Sequence, residues 1–414
     1  MCDSFGCYAR FEAPPTQMDR VLFVVKAREF GGLEIILLDW LAQVDYTKTS
    51  IAVCSYGTDA LRTRLAALGP GVESVTLDIA DDAPFWRELP GWIRLLSSLH
   101  PSKVIFLEGL VGDFSASPVL AAWLCTRFSH SGCVYIYESN WGKAVPPKGG
   151  KRKLHYGFLP GIGLYRRKEM FKQKLRVRLT RRIFTMSQGI KNNLAVHFGC
   201  APEHISVLHH GVNTARYSPC AKDRLAFRQA NGIPEDAVVL VSHGRLVRRK
   251  RIERLLQAFE LLYAEHPNVW LVVTAYGPLS QEMEKAVASS PARSRVKLVG
   301  FQEDSTKILK ASDIYVLSSN DEGFGIALVE ALSTGLVCVA TKGPGPTDIL
   351  EGGESGFLVE ESVEGVAAGL RQALALTPQQ RTQMSERARK TVQTRFEIGT
   401  VIRQALDALE IPHK

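Results

Sequence analysis

Short apolar runs alternate along this chain with stretches whose apolar positions recur every three or four residues. The runs Val21–Val25, Ser50–Cys54, Lys103–Leu107, Val134–Tyr137 and Ile205–Leu208 predict strands. Between them Leu33–Gln43, Asp59–Leu68, Leu89–Leu99, Pro118–Phe128 and Ile190–Phe198 carry the helical period. Such a βα alternation predicts a parallel sheet covered by helices on both faces. After His210–Pro219 the pattern starts again. Strands are predicted at Ala237–His243, Trp270–Thr274, Val296–Val299, Ile314–Leu317 and Val337–Ala340. Helices are predicted at Arg251–His266, Gln281–Ser289, Ser305–Lys310 and Ile326–Thr334, with a last one at about Ile398–Leu409.

The chain therefore reads as two consecutive doubly wound, Rossmann-like α/β domains facing across a cleft. The expected organisation is a disordered lead-in over 1–19, a first domain over 20–215 and a second over 216–395. Residues 396–414 would form a terminal helix packing back on the first domain. At 414 residues, 45% hydrophobic and 22% charged, both domains can bury a core. No apolar run reaches the roughly 18 residues of a membrane span, and the N-terminus has no apolar signal region. The eight cysteines include no C-x-x-C pair, so reduced, mostly buried thiols in a cytosolic protein are expected rather than a zinc site.

Ligands of open parallel sheets bind beyond the carboxyl ends of the strands. Gly31-Gly32, Gly244-Arg245, Gly277, Gly300 and Gly323 each follow a predicted strand and would gather at the cleft. The most informative stretch is Asn320–Thr341, which runs from a glycine loop holding Glu322 into a helix holding Glu330. A loop that opens onto a helix N-terminus offers backbone N–H groups and a positive dipole end to a phosphate. The two carboxylates could then accept hydroxyls of a sugar and a ribose on either side. Glu330 lies in an apolar run, where an unpartnered carboxylate is costly, so a hydroxyl or cationic partner is expected. Gly244-Arg245-Leu246 with Lys250 suits a diphosphate, although RLVRRKR alone reads equally as a solvated basic loop. Gly31-Gly32 lacks the dinucleotide fingerprint and alone does not decide between a tight turn and close approach to a phosphate.

Taken together, these elements resemble a family 4 glycosyltransferase of the GT-B fold over roughly residues 20–395. Glu322-Gly323-Phe324-Gly325 with Glu330 matches the family's E-x7-E element, Gly244-Arg245-Leu246 with Lys250 its diphosphate element, and Gly31-Gly32-Leu33-Glu34 its N-terminal glycine loop. Ser187–Ile190, Gly211-Val212-Asn213, Gly343–Pro346 and Gly356–Val359 match in order as well. The resemblance implies a retaining hexosyltransferase that uses a UDP-, GDP- or ADP-sugar and needs neither a metal nor a resident cofactor. It further implies that Glu322, Arg245 and Lys250 are catalytic: Glu322 would hold a donor-sugar hydroxyl, while Arg245 and Lys250 would neutralise the diphosphate. Gly31, Gly32, Gly300, Phe301, Gly323, the amides of Phe324, Gly325 and Ile326, and Glu330 on the ribose would complete the donor site. Where the family has a His, this chain reads Glu138-Ser139-Asn140-Trp141, which makes Glu138 or Asn140 the candidate sugar contact. Asn213 stands where the family commonly has Asp.

Net charge is +9, but residues 143–182 alone hold fourteen Lys or Arg against one acid, Glu169. From about Leu164 this segment predicts a helix with an apolar stripe of Leu164, Phe171, Leu175, Leu179 and Ile183, the basic residues covering the rest. Such a surface suits anionic lipid. A peripheral enzyme at the cytoplasmic membrane face is expected, with a lipid-linked glycan or glycolipid as acceptor. No recognition module for nucleic acid is seen. The rival readings are a GT-B enzyme acting on a soluble sugar or sugar phosphate, and a non-catalytic sugar-nucleotide-binding subunit.

Overall fold

Runs of Val, Ile and Leu without polar interruption belong in parallel sheets buried on both faces, and two such sheets form here. The computed structural model describes residues 19–25, 32–55, 59–75, 77, 85–108, 116–128, 133–138, 171 and 174–414. The first sheet comprises β1 (Asp19–Val25), β2 (Thr49–Ser55), β3 (Val72–Val75), β4 (Lys103–Glu108), β5 (Cys133–Glu138), β6 (Arg182–Thr185) and β7 (Ile205–Val207). Its order is β3-β2-β1-β4-β5-β6-β7, with every pairing parallel. Along β1 the period-two rule is explicit: Val21, Phe23 and Val25 enter one core cluster, Leu22 and Val24 the other. Burying each such side chain contributes about 1.5–3 kcal/mol.

The second sheet comprises β8 (Val238–Ser242), β9 (Val269–Thr274), β10 (Val296–Val299), β11 (Ile314–Leu317), β12 (Val337–Thr341) and β13 (Gly356–Val359). It is again wholly parallel, in the order β10-β9-β8-β11-β12-β13. The order reverses between β8 and β11. Connections leave these two strands to opposite sides of the sheet, so a crevice opens beyond their carboxyl ends.

The chain crosses between the sheets twice, side by side. Val212 N donates to Phe396 O at 2.8 Å, and Ile398 N donates to Val212 O at 3.1 Å. Gly211 permits this approach, since a Cβ there would lie 2.6 Å from Ile398 Cα. The helix Ile398–Ala408 then packs on the helix Gly32–Gln43, and Lys414 N donates to Gln43 O at 2.9 Å. One continuous apolar cluster joins the two sheets through Met186, Leu208, Val212, Tyr217, Phe396 and Leu406.

The basic segment departs from its expected form. Residues 174–179 are helical, but Arg182–Thr185 is strand β6, sandwiched between β5 and β7. Ile183 is therefore buried in a sheet rather than aligned on a helix face. The sheet's need for a strand between β5 and β7 overrides the local helical period. Phe171, expected on the apolar stripe, is 67% exposed, whereas Arg176, expected on the basic face, is fully buried. Leu164 and most of 143–173 lie outside the described residues.

Sequence periodicity also misses the helix Pro378–Arg395, whose sequence is almost entirely polar. Its signal is local: Thr377 and Gln380 form a capping box ahead of Pro378 at the first helical position. The helix expected over Arg251–His266 is shorter, Ile252–Glu260, and Arg251 before it takes a left-handed conformation at φ 50°.

Candidate active site

The loops after β8 and β11 flank the crevice, and their backbones are sewn together. Ser318 Oγ donates to the carbonyls of Lys250 and Arg251, each at 3.0 Å, and Asn320 N donates to Arg249 O at 2.8 Å. Arg254, on the helix Ile252–Glu260, donates to Ser318 O at 2.9 Å and to Asn320 Oδ1 at 2.7 Å. This buried fork is absent from the sequence-level site, yet it carries the register between the two loops.

That register places Lys250 Nζ 2.8 Å from Glu322 Oε2, with Arg249 Nη2 3.9 Å from Oε1. Glu322 is 7% exposed. Burial alone would push its carboxyl up, but the Lys250 and Arg249 charges overcome this and hold it at about 2. Glu322 is thus an anion at neutral pH, a hydrogen-bond acceptor and not an acid. The preceding Asp321 is held at φ 50°, a left-handed conformation uncommon for a residue with a side chain.

Phe324 turns its ring inward, 5.7 Å from His209 and 5.8 Å from Phe396, and presents only backbone to the crevice. Gly325 at φ 104° starts the helix Ile326–Ser333. Among the described residues no hydrogen bond reaches the N–H groups of Phe324, Gly325 or Ile326. The loop is pinned from behind: Gly345 N donates to Glu322 O at 3.0 Å, and a Cβ on Gly345 would lie 2.1 Å from Phe324 O. From the first domain, Ser187 Oγ donates to Gly323 O at 2.8 Å.

Glu330, near the middle of the same helix, has the hydroxyl partner that its apolar surroundings demand, with an imidazole ring beside it. Tyr217 Oη donates to Oε1 at 2.7 Å, and His243 Nε2 lies 3.1 Å from Oε2. Burial and the Glu330 charge raise the Tyr217 hydroxyl well above its ordinary range. Nearby His210 is pushed down to about 4 by burial, against the pull of Glu330. Neither Tyr217 nor His243 carries a sequence motif that marks it; both are found only by contact.

Arg245 lies exposed at the mouth of a pocket that it shares with His243, Gly244, Lys250, Thr274 and Ser319. Gly277, at φ 125°, lets the β9 loop run beneath it, since a Cβ there would meet Leu246 N and O at 2.9 Å. Gly300 and Phe301 follow β10; the Phe301 ring is 65% exposed, with Tyr276 edge-on at 5.1 Å. Of the first-domain candidates, Gly32 opens the helix Gly32–Gln43 and Glu138 ends β5. Gly31 and Asn140 lie outside the described residues, as does the side chain of Glu138.

Two doubly wound domains, joined by a double crossing and with a glycine loop at the switch point of the second, define the GT-B fold. Residues 223–391 match the family model described as Glycosyl transferases group 1. Over 164 residues the chain is 32% identical to the lipopolysaccharide core biosynthesis glycosyltransferase LpsE of Rhizobium meliloti, covering 39% of this chain and 47% of that protein. It is 28% identical over 184 residues to the N-acetyl-alpha-D-glucosaminyl L-malate synthase of Bacillus anthracis, covering 44% and 48%. The chain thus spans about half the length of the curated relatives it matches. Over nearly its whole length it superimposes on the Anabaena protein HepE in complex with UDP, with a TM-score of 0.75 and 18% identity, covering 94% of this chain and 99% of that one.

Proposed function

We propose that this protein is a retaining hexosyltransferase that moves a sugar from a nucleotide-diphospho donor to a glycan or lipid-linked acceptor. The observation that carries the reading is the Glu322–Lys250 pair, set beside the open N–H groups of Phe324, Gly325 and Ile326. An anion held against a cation at the start of a helix is matched to a ligand that has hydroxyls on one side and phosphate on the other. The UDP in the HepE complex supports uridine as the base, and the LpsE match supports a glycan acceptor.

In this reading Glu322 accepts hydrogen bonds from donor-sugar hydroxyls. The glycine-loop amides bind sugar and phosphate, and Glu330 takes the ribose. As the glycosidic bond breaks, negative charge grows on the diphosphate; Lys250 and Arg245 offset it from fixed positions, which lowers the barrier without reorganisation. Lys250 touches Glu322 already, so it couples the sugar and phosphate ends of the donor. The chain's own cations supply the positive charge, and no metal is required by this scheme. An acceptor hydroxyl attacking on the leaving-group side, with its proton passing to the departing phosphate, gives retention.

The acceptor side is proposed to face a membrane. Among the described part of the basic segment, Lys174, Arg178, Arg181 and Arg182 are exposed, while Arg176 and Val177 anchor inward. No described helix is long and apolar enough to cross a bilayer. The test of the central claim is transfer from a panel of UDP-, GDP- and ADP-hexoses, with the product's anomeric configuration read by NMR. Glu322→Ala is expected to abolish transfer while the fold survives by circular dichroism. Wild-type rates in that variant would overturn the assignment.

A further inference from the structure

Glu330 does not stand alone on its helix, and its surroundings form a built clasp. Tyr217 Oη donates to Glu330 Oε1 at 2.7 Å and lies 2.9 Å from Ser305 Oγ. The other end of the same residue is also held: Ser333 Oγ, one turn further along the helix, donates to Tyr217 O at 2.8 Å. The ring is 8% exposed, under the Arg216 guanidinium at 5.7 Å. On the opposite side, His243 Nε2 is 3.1 Å from Oε2 but off the line of a hydrogen bond. Its ring packs edge-on against Tyr315 at 5.8 Å.

A carboxylate has about four acceptor positions. One on Oε1 is taken by Tyr217, and His243 flanks Oε2. The carboxylate plane is thereby set, and the remaining lone pairs can receive two adjacent hydroxyls together. Tyr217 belongs to the segment that joins the two sheets, so the joining segment itself orients a carboxylate of the donor site.

We propose that Tyr217, with His243 as the opposing jaw, is a positioning residue that aims Glu330 at the ribose diol of the donor. The proposal rests on the donor-site reading above and adds to it the device that makes Glu330 selective for ribose. Geometry alone supports it: a tyrosine clasped to one helix at both its hydroxyl and its carbonyl, with a short bond to the carboxylate in question. Tyr217→Phe removes the hydroxyl and keeps the ring in the core.

The experiment is calorimetric titration of the full chain with UDP, GDP and ADP and with their 2′-deoxy and 3′-deoxy counterparts. Steady-state kinetics on the preferred donor accompany it. Wild type is expected to prefer the ribonucleotide by roughly tenfold or more, the scale of a hydrogen bond to a charged group. In Tyr217→Phe that preference should fall toward one: the ribonucleotide weakens and the deoxy forms change little. KM for the donor should rise, with kcat at saturation within about twofold, as expected when ground-state and transition-state binding are lost equally. A Tyr217→Phe variant that melts lower but keeps the wild-type preference overturns the positioning role and leaves the Glu330 reading intact. A wild type that binds ribo and deoxy forms equally overturns both.

Discussion

At the scale of single residues, Glu322 shows how two opposed effects are decided by magnitude. Burial disfavours its charge, and Lys250 and Arg249 more than reverse this, so the carboxyl stands at about 2 against an ordinary 4.5. The folded state thus binds the proton more weakly than the unfolded chain. The linked stability is fully present above about pH 4.5 and is lost as pH falls toward about 2. Its scale is roughly 3 kcal/mol. Urea unfolding of wild type and Glu322→Gln should therefore differ at neutral pH, and the gap should close across that acid window. A gap that does not change with pH would show that Lys250 does not hold the carboxylate charged.

At the scale of elements, the glycine loop is shaped less by its own sequence than by what presses on it. Arg254 reaches it from the helix Ile252–Glu260, Gly345 supports it from behind, and Ser187 reaches it from the first domain. Ser187 does two things at once. Its Oγ accepts from Ile190 N at 3.4 Å, capping the helix Gln188–Phe198, and donates to Gly323 O. Ser187→Ala should lower stability by about 1 kcal/mol, as a lost cap does, and should also raise the donor KM. Ser187→Thr, which keeps the hydroxyl, should restore both. A melting-temperature loss with unchanged KM would confine the residue to capping.

At the scale of the whole molecule, the parallel crossings at Val212 and Phe396–Ile398 and the return of the C-terminal helix to the first sheet tie the domains into one frame. This frame leaves Lys174, Arg178, Arg181 and Arg182 on the surface. Co-sedimentation with vesicles containing anionic lipid is expected at low salt and should be lost at high salt, since exposed charges are screened. Vesicles of zwitterionic lipid should not bind. Replacing these four residues with Ser should weaken the vesicle binding without altering donor affinity; binding that persists in high salt would argue for apolar insertion instead.

Much of this molecule is legible locally. The period of two in the strands, the period near 3.6 in the helices and the glycines that follow several strands are properties of neighbouring residues. They are enough to specify two parallel sheets and to put Glu322, Arg245 and Lys250 in the loops after strands and Glu330 in the helix that follows one. The exceptions share a cause. Lys250 meets Glu322 across 72 residues and Tyr217 meets Glu330 across 113, separations at which no periodicity reports. Strand β6 is a strand because β5 and β7 flank it, and Arg176 is buried although Lys174 and Arg178, two positions to either side, are exposed. The sequence by itself determined most of the elements and the chemical groups. Only the tertiary structure decided which groups meet, because pairing across the crevice depends on strand order and domain packing, and those follow from the burial of whole faces rather than from local pattern.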